Sequence, residues 1–101
     1  MRLRRSRFAD LISRQLDLFA EEEAELFGEA DEAERAYDTA AREDAESAYA
    51  DFQLVLDAGA ERLAEIQAAY VATLEEDAAR AYEAAFVRAA TKRFPRFARG
   101  L

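Results

Sequence analysis

Cysteine and histidine are both missing from this chain of 101 residues. Their absence excludes disulfides, thiolate nucleophiles, imidazole bases, zinc sites built from Cys and His, and haem held by His. Proline occurs only at Pro95, and glycine only at Gly28, Gly59 and Gly100. So few turn-forming residues leave little material for a β-sheet, whereas the abundant Ala, Glu, Leu and Arg favour helices. The sequence therefore predicts a single all-α domain.

Long apolar runs are also missing. No stretch approaches the roughly 18 uninterrupted apolar residues that indicate a membrane-spanning helix. Near the N-terminus, arginines and then Asp10 interrupt the apolar residues, so the apolar segment of a signal peptide is not formed. We therefore expect a cytoplasmic protein that does not bind a membrane.

Charge is distributed in blocks along the chain. There are 22 acidic and 14 basic residues, and every acidic residue lies between Asp10 and Glu83. The basic residues near the two ends are Arg2, Arg4, Arg5, Arg7, Lys92, Arg93, Arg96 and Arg99. Such clusters are candidate contacts for an anion or a nucleic acid, while ion pairing with the acidic body is the interpretation that we favour.

Apolar residues recur at steps of three and four, which is the spacing of amphipathic helices. We predict a first helix from about Ser6, a turn between Asp38 and Glu43, and a second helix from about residue 43 to about residue 92. The apolar phase runs unbroken across Gly59, so we favour one continuous second helix over a corner at this glycine.

These helices predict a long antiparallel hairpin, and the Phe94-Pro95 step must end the second helix. The sequence therefore indicates a single helical domain over residues 1–94 and a short, mobile, basic tail over residues 95–101. The alternative fold is a three-helix bundle with a corner near Gly59.

A lone hairpin would leave many large apolar side chains of its longer helix in water. Burying one such side chain contributes about 1.5 to 3 kcal/mol, so we predict that two hairpins pair as a homodimeric four-helix bundle, with Phe86 buried by the partner chain. The candidate dimer interface consists of apolar residues of the second helix: Leu56, Leu63, Ile66, Tyr70, Leu74, Tyr82 and Phe86.

The acidic runs at residues 21–25 and 75–77 place carboxylates on shared helix faces, and Mg or Mn prefers oxygen ligands of this kind. In so acidic a helical chain these spacings also arise by chance, and we interpret them as solvated faces that bind no cofactor. The favoured hypothesis is a non-enzymatic interaction or scaffold protein with an unidentified protein partner. The alternatives are a nucleic-acid-associated or regulatory protein that uses its terminal arginines, and an enzyme that depends on Mg or Mn.

Overall fold

The computed structural model describes residues 7–101, and within this range it contains helices and no strand, as the sequence predicts. None of the helices in the described part of the chain is long and apolar enough to cross a membrane. The helices are α1 (Ala9–Glu22), α2 (Ala24–Asp38), a 3₁₀ turn (Arg42–Asp44), α3 (Ala45–Val71), α4 (Glu76–Arg93) and α5 (Pro95–Ala98).

The predicted first helix is present from Ala9 onward with one interruption at Glu23, and the turn after it is present as well. Its predicted start at Ser6 lies outside the described residues. The Glu23 amide still donates to the Phe19 carbonyl at 2.9 Å, so helical hydrogen bonding continues from α1 into the interruption. At the far end, Thr39 stops α2, and its hydroxyl donates to the Arg35 carbonyl at 2.8 Å. The predicted turn between Asp38 and Glu43 is confirmed, because the chain resumes helical structure only at the 3₁₀ turn and α3.

The predicted continuous second helix is wrong, because residues 72–75 separate α3 from α4. The Thr73 hydroxyl donates to the Tyr70 carbonyl at 2.7 Å and closes the last turn of α3. Glu75 then adopts an extended backbone, and the two acidic residues in the first turn of α4 interact favourably with the positive end of its helix dipole, which stabilises the start of this helix. The alternative with a corner near Gly59 is wrong as well, because Gly59 lies inside α3.

Helix α3 runs antiparallel to the α1–α2 segment. At one end the rings of Phe8 and Tyr70 lie 6.3 Å apart, and at the other end the rings of Tyr37 and Tyr49 lie 5.2 Å apart. This arrangement agrees with the antiparallel hairpin in the sequence prediction, although the second helix of the hairpin ends at Val71.

Helix α4 turns back at residues 72–75 and lies beside α1 in a parallel orientation. Tyr82, early in α4, contacts Phe8 with ring centroids 5.5 Å apart, and Phe94, after the end of α4, contacts Phe19 at 5.3 Å. The result is a three-helix base formed by α1, α4 and the second half of α3, with α5 packed against it.

The core lies in this base. Four of the seven residues proposed for a dimer interface are buried in their own chain: Leu56, Leu63, Tyr82 and Phe86. The other three are half-buried against the same core: Ile66, Tyr70 and Leu74. The expectation that a partner chain buries Phe86 is therefore wrong, because the turn at residues 72–75 brings α4 back against α1 and lets one chain bury this ring.

The last residues are ordered against the base, whereas a mobile tail was predicted. Pro95 occupies the first turn of α5, where its missing N–H is not needed, and Phe97 is 1% exposed. Phe97 packs directly over Gly59, where an added Cβ would lie 2.7 Å from Cε1 and 2.8 Å from Cγ of the ring. Gly59 therefore serves the close approach of α5 and not a corner between helices.

Residues 31–55 form an arm that extends from the base as an antiparallel pair of helices. No residue of the arm is fully buried, and only half-buried positions line the seam between its two helices. The rings of Tyr37 and Tyr49 stack near its tip but remain 39% and 50% exposed. The arm thus presents most of its surface to solvent.

Candidate interaction groove

An open groove of about 580 Å³ runs between α1 and α4. It exists because α4 carries Ala85 and Ala89, one turn apart, on the side that faces Ile12 and Leu16 of α1. These short side chains leave the space between the two parallel helices unfilled. The complete lining is Ala9, Ile12, Ser13, Leu16, Ala85, Arg88, Ala89, Lys92 and Arg93.

One rim of the groove is cationic. Arg88 and Lys92 are both exposed, and neither forms an ion pair with any residue in the described range 7–101. Arg93 differs, because its Nη2 lies 2.6 Å from Oδ1 of Asp17 and its guanidinium lies 5.1 Å from the centre of the Phe94 ring. The rim therefore adds to an apolar floor two positive charges that no residue of the range 7–101 pairs.

The remaining terminal cations have different surroundings. Arg96 donates from Nη2 to Asp31 at 2.9 Å and from Nη1 to Glu34 at 3.0 Å, so it joins α5 to α2 as intramolecular neutralisation predicts. Arg99 is exposed, and Arg7 is exposed beside the ring of Phe8 at 5.2 Å. Three of the proposed anion contacts lie outside the described residues: Arg2, Arg4 and Arg5.

The aromatic rings among these cations are not displayed for stacking on nucleic acid bases. Phe97 is buried, and Phe94 is half-buried against the core. Both rings contact Phe27, with centroids 5.2 Å and 5.4 Å away. A single-strand binder requires exposed aromatic faces, and these two faces are used inside the fold.

The acidic runs are not gathered into a cation site. Within residues 7–101 no group of three or more Asp or Glu side chains is arranged to hold a metal ion. The carboxylates of Glu22 and Glu23 each lie 3.6 Å from the guanidinium of Arg62, and Glu76 and Asp77 both pair with Arg80. These carboxylates balance arginines on the surface.

Tyr82 brings one polar group into the core. Its hydroxyl donates to Oε1 of Gln15 at 2.9 Å, which links α4 to α1. Burial raises the pKa of Tyr82, the hydrogen bond with Gln15 partly offsets this rise, and the neighbouring Tyr70 adds to it. Tyr82 thus holds its proton more firmly than a free tyrosine and acts as a neutral structural link.

Sequence reasoning identified Lys92 and Arg93 but missed the groove to which they belong. The sequence prediction did not include the corner at residues 72–75, and without this corner α4 cannot lie beside α1. One signal was available, because consecutive acidic residues are typical of the first turn of a helix, and the run at residues 75–77 occupies the start of α4.

No protein-family model, curated protein or solved structure matches this chain.

Proposed function

We propose that this chain is a non-enzymatic helical interaction protein, a scaffold or adaptor that receives a helix of a partner in the α1–α4 groove. The observation that carries this proposal is the combination of an open apolar floor with Arg88 and Lys92, two cations that form no ion pair within the described part of the chain. A groove of this kind accepts the apolar face of an amphipathic helix. Since Ala85 and Ala89 share one face of α4, the backbone of a docked helix can approach closely.

The charge of the rim indicates the chemistry of the partner. Positive potential at the edge of an apolar surface favours a partner with acidic residues beside its apolar stripe and disfavours a basic one. The partner helix is therefore acidic and amphipathic.

Two other functions remain as weaker proposals. Nucleic acid binding is supported by the exposed cations Arg88, Lys92 and Arg99, but the aromatic rings near them are packed away. A carboxylate enzyme that uses Mg or Mn requires clustered ligands, and it predicts that either ion shifts the melting temperature of the protein. A flat response to both ions counts against the enzyme.

The proposal is tested by titrating isotopically labelled protein with three probes. The probes are an acidic amphipathic helical peptide, a basic peptide with the same apolar residues, and a single-stranded oligonucleotide at about 50 mM salt. We expect the acidic peptide to shift the amide signals of the groove lining, and the basic peptide to bind much more weakly.

Matched charge variants identify the site. The double variant R88E/K92E reverses the rim and should weaken binding of the acidic peptide by roughly tenfold or more, which corresponds to about 1.4 kcal/mol. The control R14E/R99E makes the same change in net charge outside the groove lining and should bind as the wild type does. Equal loss in both variants, or no binding of the acidic peptide, would refute the proposal, whereas groove shifts caused only by the oligonucleotide would favour the nucleic acid alternative.

A further inference from the structure

Helix α3 displays Leu54, the most exposed large apolar residue among residues 7–101. Leu54 is 68% exposed, and Ala50 and Ala58, one turn before and one turn after it, are exposed as well. Residues four apart lie on one face of a helix, so these three side chains form a continuous apolar strip. Asp51 and Glu61, also exposed, lie beside it on the same side of α3.

The arm to which most of this strip belongs is poorly stabilised by its own chain. It carries eight acidic and two basic residues and has no fully buried side chain between residues 31 and 55. Helices in proteins owe most of their stability to packing of an apolar face, and two helices alone can cover only the seam between them. A third helical surface placed against Leu54 would bury apolar area that the isolated chain leaves in water.

The groove and the arm complement each other in shape and in charge. The groove offers a small-residue floor at Ala85 and Ala89, and the strip offers one projecting side chain, Leu54. The groove rim is positive at Arg88 and Lys92, whereas the arm is strongly acidic. One chain therefore carries both an acidic amphipathic helix and a site with the features such a helix needs.

We infer that the partner helix is the α3 strip of a second copy of this chain, centred on Leu54, which docks in the α1–α4 groove. This inference rests on the proposed function of the groove and names its occupant. We place the two copies about a two-fold axis, so that the contact between strip and groove is made twice and both grooves are filled. The exchange closes on itself as a homodimer, and its interface differs from the set of core residues that the sequence suggested.

Light scattering and sedimentation velocity on the full chain over a range of concentrations test this inference. The wild type should be a dimer at high micromolar concentration. The groove variant R88E/K92E and the strip variant D51K/E61K should each weaken dimerisation by at least tenfold, because each brings like charges together. L54Q should do so as well, with an unchanged helical signal, since the substituted side chain is exposed. The control R14E/R99E should remain dimeric.

Mixing the two charge variants gives the decisive result. Each is repelled by its own copies, but a mixed pair joins the reversed groove to the reversed strip and the native groove to the native strip, so heterodimers should form. A monomeric wild type, or a dimer that none of these variants affects, overturns the inference. The acidic peptide titration, run on L54Q so that a second copy does not already fill the groove, separates this failure from failure of the proposed function. If the groove of this variant binds the peptide, the proposed function stands and only the second copy is excluded as the occupant.

Discussion

Replacing Gly59 by alanine tests how α5 is held against the base. The new Cβ would lie 2.7 Å from Cε1 and 2.8 Å from Cγ of Phe97, closer than side-chain carbons approach in folded proteins. Phe97 is 1% exposed, so its ring cannot move aside without leaving the core. The substitution therefore forces either local overpacking or displacement of α5.

The size of the effect follows from two opposing contributions. Alanine inside a helix is more favourable than glycine by about 0.5 to 1 kcal/mol. Overpacking of a filled core costs about 1 to 3 kcal/mol. Gly28 supplies a matched control, because it also lies inside a helix but a Cβ built there meets nothing within 4 Å. G28A should stabilise the protein, whereas G59A should be less stable than G28A by about 1 to 3 kcal/mol.

Urea unfolding followed by far-UV circular dichroism measures this difference in the free energy of unfolding. For a domain of this size each kcal/mol shifts the melting temperature by about 4 to 8 °C, so thermal scans provide an independent reading. In a Phe97→Ala background the ring is gone, and G59A should become as stabilising as G28A. If G59A stabilised the otherwise unchanged protein as much as G28A does, Phe97 would not occupy the position described here, and the account of α5 would be refuted.

Three further changes test the base. Y82F removes the hydrogen bond to Gln15 and should cost about 0.5 to 1.5 kcal/mol in chemical unfolding at neutral pH. Burial raises the pKa of Tyr82 in the folded state, so the stabilisation from its retained proton is complete below about pH 10 and is lost as the pH rises further. The free energy of unfolding should therefore fall less steeply for Y82F than for the wild type above about pH 10. L63A should cost about 2 to 5 kcal/mol by the same unfolding assay, since Leu63 is fully buried in its own chain. R96A should lower the melting temperature, and R96K should not restore it, because an ammonium cannot bridge two carboxylates as a guanidinium does. Added salt should narrow the difference in melting temperature between R96A and the wild type.

The sequence was sufficient for the all-α fold, the turn after Asp38 and the helix end at Phe94, because each leaves a local signal in spacing or composition. The corner at residues 72–75 was missed for a geometric reason. The apolar residues Tyr70, Leu74, Ala78 and Tyr82 continue at steps of four through it, since four non-helical residues span about one helical turn in sequence. A periodic pattern cannot distinguish a continuous helix from two helices joined by such a segment.

The candidate groove depended on that corner and could not be predicted without it. Lys92 and Arg93 were recognisable as a cationic cluster, but the sequence indicates neither which helix faces Ala85 and Ala89 nor which cations lack partners. Gly59 is a second example of a contact that the sequence pattern does not indicate. Its neighbour Phe97 is remote in sequence, so a glycine needed for close approach resembles a glycine that marks a turn.

The uneven distribution of buried residues between base and arm implies that the molecule does not open as one unit. The arm contains no fully buried residue, whereas the base contains nearly the whole core. Backbone amides in a segment with so few apolar contacts exchange with solvent through local opening events that leave the rest folded. We therefore expect arm amides to exchange deuterium well before those of α1 and α4, and a protease to cut first near the 3₁₀ turn. A partner that covers the arm would slow both deuterium exchange and proteolysis there. Partner binding is therefore detectable as a change in the local dynamics of the arm, even if the structure of the base does not change.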